Sequence, residues 1–470
     1  MLGLTLAALA LIGATTDAFY LATDDWFFVD FGRRSHALGE LFELKRTGTP
    51  AVRPLALAWA RLEHLAFGDA LLPRRLALIA LHVLTALALR QVLTALTSRR
   101  AATWAAVAFA CWPLHAEPLT WYHSGVTTIP VVALMLGSAV LQLNGRRAGS
   151  CVALALALMT RENAVVLAPT LVALDLGRGR SVREALRAAA PQLALTTAFV
   201  AWRAFQVVSA LGHGGAELPF GQSGLMTAAY LTFHLVIPVH PAVPGAVVLA
   251  ALTGLLALAL LAGSLPQLRR AAPLMVLMSL PFAPLYDTGD PLFAVGDPEY
   301  ERRWYHLYPL VLALAWPVGE TLARLRTAVA ASLAVGLLAL QLLNARVWAE
   351  PGALLASSLQ ASRAALESGA PLALVLTAEP EGRAAVNAEL LEHQFLDLPR
   401  ILGRRALAIY KVDPDGVRAV SELDERGYPR WRGLPPTEAP SAHTRYLRWT
   451  AGAFEEVPPS SLPTRPEDSE

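Results

Sequence analysis

The stretch "LPRRLALIALHVLTALALRQVLTALT" at residues 72–97 is long and apolar enough to cross a bilayer as one helix, which takes roughly 20 apolar residues. Comparable apolar blocks lie at residues 2–20, 101–113, 125–143, 148–160, 163–177, 190–210, 225–241, 245–265, 272–287, 306–322 and 327–344. The whole chain is 55% hydrophobic and 16% charged, against about 25% charged in average proteins. The repeated blocks predict an α-helical polytopic membrane protein.

Basic clusters between the blocks predict the topology, because Lys and Arg near span ends favour the cytoplasm. The clusters are Arg99 and Arg100; Arg146 and Arg147; Arg178, Arg180, Arg183 and Arg187; Arg269 and Arg270; and Arg324 and Arg326. All five can be cytoplasmic only if one block does not span, and the proline-rich block 225–241 is the one expected to be re-entrant or interfacial. This predicts about 11 spans in the plasma (inner) membrane, with a cytoplasmic N-terminus and an extracytoplasmic C-terminus. The first block also admits a signal-peptide interpretation, but it lacks a basic start.

The chain divides into three parts. Residues 1–345 form the predicted transmembrane domain, and within it residues 21–71 make a first external loop whose two amphipathic stretches predict interfacial helices. Residues 346–436 predict a small extracytoplasmic α+β domain, with a helix at "ALLASSLQASRAALESG" and strands at "LALVLTA" and "ALAIYKV". Residues 437–470, rich in Pro, Ser and Glu, predict a partly disordered tail in which only "RYLRWTA" is strand-like.

Several classes of protein and site are not indicated. The net charge of +2 and the lack of a basic run give no sign of nucleic-acid binding. The two cysteines, Cys111 and Cys151, lie in apolar stretches, which does not fit a disulfide framework. No cluster has metal-ligand spacing, so no cofactor is predicted. A divalent metal is compatible with the sequence, but no ligand motif supports one.

The segment "YLATDDWFFVDFG" at residues 20–32 places two carboxylates, Asp24 and Asp25, where the first apolar block ends. Adjacent side chains diverge by about 100° on a helix, so the two acids are expected to have different roles. One faces a cavity and the other caps the following helix. The alternative is that both acids have only a structural role, as helix caps or as solvent-exposed side chains of a loop.

Further polar groups lie at or near membrane depth, where they are costly and mark functional sites. In "CWPLHAEPLTWYHSG", Pro113 and Pro118 bracket His115 and Glu117 and predict a break between two spans. If that break is extended, His115 and Glu117 face one side; otherwise the segment is a polar turn at the external surface. The remaining candidates are Arg161 and Glu162 in "LMTRENAVVLAPT", Arg302, Arg303 and Tyr305 in "PEYERRWYHLYP", Arg53 in "AVRPLAL" and His82 in "LIALHVL". Alternatively, Arg161 and Glu162 form an ion pair that caps a helix, and the residues of "PEYERRWYHLYP" anchor the chain at the membrane interface. His82 is alternatively a hydrogen-bonded core histidine.

The order of these motifs along the chain resembles that of the GT-C glycosyltransferases. The acidic pair comes first and is followed by "RPL", "LALIALHVL", "PLHAEPLTW" and "RENAVVLAP". They are most similar to bacterial relatives of the transmembrane tetratricopeptide-repeat O-mannosyltransferases. The resemblance covers roughly residues 15–350, and "PLHAEPLTW" is its most specific part. The chain departs from the family at Thr85, where the family has Asn, and at Arg161, where it has Lys. An extra residue in "ERRWYHLYP" obscures which arginine corresponds, and no repeat array follows.

The resemblance implies an inverting glycosyltransferase that moves a sugar from a polyprenyl-phosphate carrier to an extracytoplasmic hydroxyl of unknown identity, on a protein, glycan or lipid. An attacking hydroxyl needs a base, and the family pattern favours Asp24, with Asp25 second. A phosphate leaving group needs positive or hydrogen-bonding groups rather than an acid. Those expected to bind donor or substrate are Arg53, His82, His115, Glu117, Arg161, Glu162, Arg302, Arg303 and Tyr305.

Two other classes fit parts of this pattern. Buried ionisable groups and a broken helix also suit a polytopic transporter or lipid flippase. A transporter of that type is expected to have paired halves with matching interruptions, and the sequence contains no internal repeat. A non-catalytic membrane scaffold would tolerate asparagine at Asp24 and at Asp25.

Overall fold

A computed structural model gives the fold of most of the chain. It describes residues 24–33, 41, 53–211, 235, 237–239, 243, 245–262, 266, 308–347, 349–366, 371–375, 391, 394–395, 398, 409–412, 418–423, 429–434, 444–450 and 453–462. The predicted re-entrant block at 225–241 therefore lies largely outside the described residues, and residues 288–305, which the sequence predicts to be a second external loop, lie wholly outside them. So do the first apolar block and the one at 272–287.

The described part of the predicted membrane domain is helical. Its helices are α1 (Asp24–Arg33), α2 (Pro54–Phe67), α3 (Leu71–Thr94), α4 (Arg99–Ala110), α5 (Ala116–Thr120), α6 (Tyr122–Leu143), α7 (Arg147–Thr160), α8 (Leu167–Gly177), α9 (Val182–Leu211), α10 (Ala246–Ala262), α11 (Tyr308–Arg324) and α12 (Thr327–Arg346). Short 3₁₀ turns cover Pro113–His115 and Glu162–Val166. Their positions follow the apolar blocks, so the helical character predicted from the sequence is confirmed.

Within the described residues, three helices are long and apolar enough to cross a membrane: α3, α6 and α12. The shorter apolar helices are α7 and the Ala246–Leu256 part of α10. The predicted total of about 11 spans cannot be counted on this part of the chain and stays a prediction. α4 has 12 residues, about 18 Å at 1.5 Å per residue, which is too short to span by itself.

Close backbone contact joins α4 and α11. A Cβ added at Gly319 would lie 2.5 Å from the Ala105 Cβ and 2.6 Å from the Ala101 carbonyl oxygen. Only glycine fits so close an approach. The contact holds α11, whose first residue is the buried Tyr308, against the helix that leads into the "PLHAEP" break.

We expect Gly319→Ala to destabilise the fold by about 1–3 kcal/mol, because an inserted methyl group must push the two helices apart. The matched control is Gly336→Ala in α12, where nothing lies within 4 Å of the added Cβ and the change improves helix propensity. Thermal unfolding of both variants in detergent measures the difference. A Gly319→Ala protein that unfolds at or above the parent's temperature would contradict the packing described here.

The C-terminal part contains helix α13 (Ala349–Leu366) and a six-stranded mixed sheet. Its strands are β1 (Leu372–Val375), β2 (Ile409–Val412), β3 (Arg418–Leu423), β4 (Pro429–Gly433), β5 (Arg445–Thr450) and β6 (Ala453–Val457). Their order is β4-β3-β2-β1-β5-β6, with β1 parallel to both β2 and β5 and the outer pairs antiparallel.

Strands form at the two predicted stretches, as β1 and β2, and helix α13 covers the helical stretch expected before them. The predicted boundary at residue 437 nevertheless falls inside the sheet, since β5 and β6 come from the segment expected to be tail. β5 pairs in register with β1, Leu372 opposite Arg445, and Arg445 is ion-paired with Glu456 on β6. The predicted strand-like stretch "RYLRWTA" forms β5, whereas β6 was not predicted, because it lies in a segment whose Pro and Ser content indicates disorder.

Candidate functional site

The acidic pair belongs to helix α1. This helix is described from Asp24 onward, so both acids are helical residues of its first described turn. The role of one acid as a helix cap stays a prediction. The side chains of Asp24 and Asp25, and the residues Arg302, Arg303 and Tyr305, lie outside the described residues.

Helix α1 packs on helix α2 through a glycine contact and polar clamps. A Cβ at Gly32 would lie 2.8 Å from the Ala60 carbonyl oxygen, and Arg61 Nη1 donates to the Gly32 carbonyl oxygen at 2.6 Å. Arg33 donates through Nε and Nη2 to the Asp69 carboxylate at 3.1 and 2.8 Å, and these bonds hold the pKa of Asp69 below its usual value. The C-terminal ends of the two helices are thus fixed together.

Three guanidinium groups gather around Glu162, at the turn between α7 and α8. Its carboxylate lies 3.6 Å from Arg53 Nε and 3.5 Å from Arg203 Nη2. Burial raises the pKa of Glu162, but Arg53, Arg203 and Arg161 outweigh it and leave the pKa below its usual value. Glu162 is 33% exposed, Arg53 21% and Arg203 12%. This arginine cluster (Arg53, Arg161, Arg203 with Glu162) therefore lies at a partly open surface.

Arg161 is anchored to helix α6. The residue ends α7 in an extended conformation, which directs its side chain away from the helix, and its Nη1 donates to the Thr128 hydroxyl at 2.7 Å and to the Thr127 hydroxyl at 3.3 Å. Arg161 is only 5% exposed. The structure brings Arg53 to Glu162, which the sequence had predicted together with Arg161 in a different segment. It adds Arg203, which sequence reasoning missed because that residue falls within an apolar block.

The "PLHAEP" segment is a buried break in the helical structure. Ala110 ends α4, and its carbonyl oxygen lies 3.1 Å from His82 Nε2, while His82 is the twelfth residue of the 24-residue helix α3. The break therefore lies level with the middle of a candidate span. Its residues 113–120 are all buried, so the alternative of an external surface turn is wrong. Irregular backbone is tolerated at this depth only where protein surrounds it.

A hydrogen-bonded chain fixes the tautomer of His82. A carbonyl oxygen can only accept, so in a neutral ring Nε2 carries the hydrogen that is donated to Ala110. Nδ1 then accepts from the Tyr308 hydroxyl at 2.6 Å. His115 packs against both rings, with centroid distances of 4.9 Å to His82 and 4.3 Å to Tyr308. Tyr308 was not among the predicted site residues, although its neighbour Tyr305 was.

His115 and Glu117 do not share a side as expected for an extended chain. His115 ends the 3₁₀ turn and Glu117 is the second residue of α5, and residues two apart on a helix face roughly opposite directions. Pro113 opens the 3₁₀ turn, and Pro118 fits the first turn of a helix, where its missing N–H is not needed. Glu117 is nevertheless 1% exposed, so the buried carboxylate predicted from the sequence is present.

A second buried network escaped sequence reasoning. Tyr122 donates to Glu63 Oε2 at 2.6 Å, and Arg74 donates to the Tyr122 hydroxyl at 3.4 Å and to the Gly68 carbonyl oxygen at 2.5 Å. Burial raises the pKa of Glu63, against lowering by Tyr122, Trp59 and Arg74. The network ties α2 to the N-terminal ends of α3 and α6. Its signal was weak, because Glu63 looks like the polar face of an interfacial helix.

His123 is a further residue that the sequence did not single out. Its ring lies 5.0 Å from that of Phe28, edge to face, and it is 5% exposed. Phe28 stands one helical turn after Asp24 and three residues after Asp25. The start of α6 is thus in contact with the helix that carries the acidic pair.

Among the described residues, no group of three His, Cys, Asp or Glu side chains could hold a metal ion. Both cysteines are free thiols.

The comparisons with known proteins assign no family. The sequence matches no protein-family model, and no curated protein is significantly similar to it. One solved structure aligns with it, the crystal structure of ArnT from Cupriavidus metallidurans in the apo state. It shares 13% identity over 87% of this chain and 92% of that chain, with a TM-score of 0.45. That score is too low to carry a shared fold or activity over to this chain.

Proposed function

We propose that the chain is a membrane glycosyltransferase that moves a sugar, a hexose or a close relative, from a polyprenyl-phosphate carrier to an extracytoplasmic hydroxyl. The observation that carries this proposal is the arginine cluster around Glu162 at a break between helices. Arginine presents a planar fork of donors that matches phosphate. A phosphate leaving group is stabilised by such donors and requires no general acid.

Asp24 is proposed as the base that takes the proton from the acceptor hydroxyl. Helix α1 carries Asp24 and is held against α2 through Gly32 and Arg33, and Arg53 directly precedes α2. The proposed base and one arginine of the cluster therefore belong to the same pair of packed helices. Attack of the acceptor hydroxyl on the face of the sugar opposite the phosphate gives inversion.

The remaining residues are assigned supporting roles. Arg302 or Arg303, with Tyr305, is proposed to add donors for the carrier phosphate from outside the described residues. The buried carboxylate of Glu117 is proposed to orient acceptor or base, and His115, which faces a different side, is proposed to support the break through its packing on His82 and Tyr308. The acceptor class stays open between protein, glycan and lipid.

Proteoliposomes loaded with a polyprenyl-phosphate sugar test this function against lipid flipping. A transferase consumes the donor when an acceptor is supplied and liberates polyprenyl phosphate in proportion to protein. Transbilayer movement of intact donor without consumption, in the presence of a broad acceptor extract, would instead support a flippase.

The orientation is tested by reporters that are active only outside the cytoplasm. We expect an active reporter when it is fused after Asn344, at the end of α12, because the C-terminal domain is predicted to be extracytoplasmic. Fusions after Arg100, Arg147, Arg180 and Arg270 are expected to be inactive, since basic clusters stay inside. An inactive reporter after Asn344 would overturn the predicted span count and put the sheet domain in the cytoplasm.

A further inference from the structure

His123, the second residue of helix α6, is buried in an aromatic contact. Its ring meets that of Phe28 on α1 edge to face at 5.0 Å and that of Trp121 at 5.8 Å. Phenylalanine would make the same contacts, whereas a neutral histidine also brings an N–H donor and an acceptor nitrogen. A polar ring is costly to bury unless it forms hydrogen bonds, so a histidine here indicates a polar partner.

The contact with Phe28 places His123 beside the first described turn of α1. Long side chains on a helix tilt toward its N-terminus, so each covers the surface of the turn that precedes its own Cα. For Phe28 that turn is the one that contains Asp24 and Asp25. The imidazole of His123 therefore lies level with the acidic pair rather than with the later part of α1.

The helical period places the two acids on different sides of α1. At 3.6 residues per turn, Asp24 lies about 40° around the axis from Phe28, four residues later, and Asp25 lies about 20° from Gly32, seven residues later. Phe28 contacts α6 through His123, whereas Gly32 contacts α2 through its close approach to Ala60. Asp24 is therefore on the side of α1 that faces His123, and Asp25 is on the side that faces α2.

The start of α6 is fixed by contacts on both sides of His123. The preceding residue, Tyr122, donates to Glu63 Oε2 at 2.6 Å and so ties α6 to α2. Two residues after His123, a Cβ at Gly125 would lie 2.6 Å from the Pro118 carbonyl oxygen, so α6 packs directly on the break. His123 is thus held in place, as a group that orients another side chain must be.

We propose that His123 is the positioning residue of the base, with its ring N–H donating a hydrogen bond to one oxygen of the Asp24 carboxylate. The inference rests on the proposed function and adds the residue that orients its base. The other carboxylate oxygen of Asp24 takes the proton of the acceptor hydroxyl, while His123 keeps its own. The acceptor oxygen forms the bond to the sugar carbon, and the bond to the phosphate breaks with its electron pair on the phosphate. A hydrogen bond to the charged form keeps the carboxylate ionised.

Two substitutions at His123 separate its hydrogen bond from its packing. His123→Phe keeps an aromatic ring against Phe28 but has no N–H, and we expect its turnover to fall about tenfold while KM for the donor stays that of the parent. The acid limb of its pH–rate profile should move up by about one pH unit, because Asp24 loses a hydrogen bond that favours its charged form. His123→Gln retains an N–H donor and should restore most of the turnover and the parent's acid limb.

A purely structural role for His123 gives different results. His123→Phe with the parent's turnover and pH profile would overturn the proposal, and so would His123→Gln impaired as severely as His123→Phe. The other titratable groups on the elements around His123 are Asp25 on α1, Glu63 on α2 and Glu117 before α6, and both variants leave them unchanged.

Cross-linking tests the placement without any transfer. In a full-length protein whose two cysteines are replaced by alanine, Asp24→Cys with His123→Cys should be joined by a short bifunctional thiol reagent, as read by mass spectrometry of the peptides. The matched control is Asp30→Cys with His123→Cys, because Asp30 lies about 160° around α1 from Phe28. A link that forms as readily from residue 30 as from residue 24 would contradict the placement.

The outcomes separate this role from the proposed function. A link from residue 24 alone, in a parent protein that consumes no polyprenyl-phosphate sugar, supports the placement and refutes the transferase. Active transfer in the parent, with no link from residue 24 and with parent-like turnover in His123→Phe, refutes only the role of His123.

Discussion

Asp24→Asn is expected to lower the rate of sugar transfer by about 10²–10⁴-fold, the usual contribution of a positioned base. Asparagine keeps the shape of the side chain and most of its hydrogen bonding, but it cannot accept the proton of an attacking hydroxyl. The variant should therefore fold, express and bind donor lipid like the parent. Turnover and donor binding at matched expression measure the two effects separately.

The control for Asp24→Asn is the same change at the next residue. Asp25→Asn removes a carboxylate from the same first turn of α1, and we expect it to cost about 1 kcal/mol of stability or less with little effect on turnover. If Asp25→Asn is the inactive variant, the two roles are exchanged. If both variants turn over like the parent, neither acid is the base.

Arg161→Lys is expected to reduce transfer about 10- to 100-fold, since losing a charge-assisted hydrogen bond costs about 1.5–3 kcal/mol. Lysine keeps the charge but not the fork of donors, and it cannot both bond to Thr128 and present a second donor to a phosphate. Arg203→Lys should show a smaller loss in the same direction, because Arg203 is held through Glu162. Donor affinity and turnover of each variant are the measurements.

A matched control lies away from the cluster. Arg90→Lys changes an exposed arginine that donates to Thr103, at the end of α3 predicted to be cytoplasmic, and it should transfer like the parent. Arg302→Lys and Arg303→Lys complete the series, since one of them is predicted to contact the phosphate. Full activity in all the arginine variants would place the phosphate site elsewhere.

Much of the helical architecture was predictable because hydrophobic blocks are a local signal. The run at residues 72–97 and the helix Leu71–Thr94 agree to within one residue at the start and three at the end. The break at "PLHAEP" was predictable as well, since two prolines so closely spaced cannot continue a helix. The depth of this break along the neighbouring helix was not predictable from the sequence. Only the hydrogen bond between His82 and the Ala110 carbonyl oxygen places the break level with the middle of α3.

The grouping of site residues depended on contacts that no local pattern encodes. Arg53, Glu162 and Arg203 are far apart in sequence and converge only when α2, the turn after α7 and α9 meet. Tyr122 and Glu63 are 59 residues apart, and each has an ordinary explanation in its own segment. The short strand β6 was equally hard to predict, because it is held in place by pairing with β5 rather than by a pattern in its own residues.

The most direct test of the central claim is release of polyprenyl phosphate by the purified protein from a panel of polyprenyl-phosphate sugars, with an extracytoplasmic extract as acceptor source. The account predicts that at least one donor releases lipid phosphate and loses its sugar in equal amounts, and that Asp24→Asn slows both by about 10²–10⁴-fold. If no donor in a panel that spans the common hexoses and their derivatives is consumed by protein that binds polyprenyl phosphate, the chain is not the transferase proposed here.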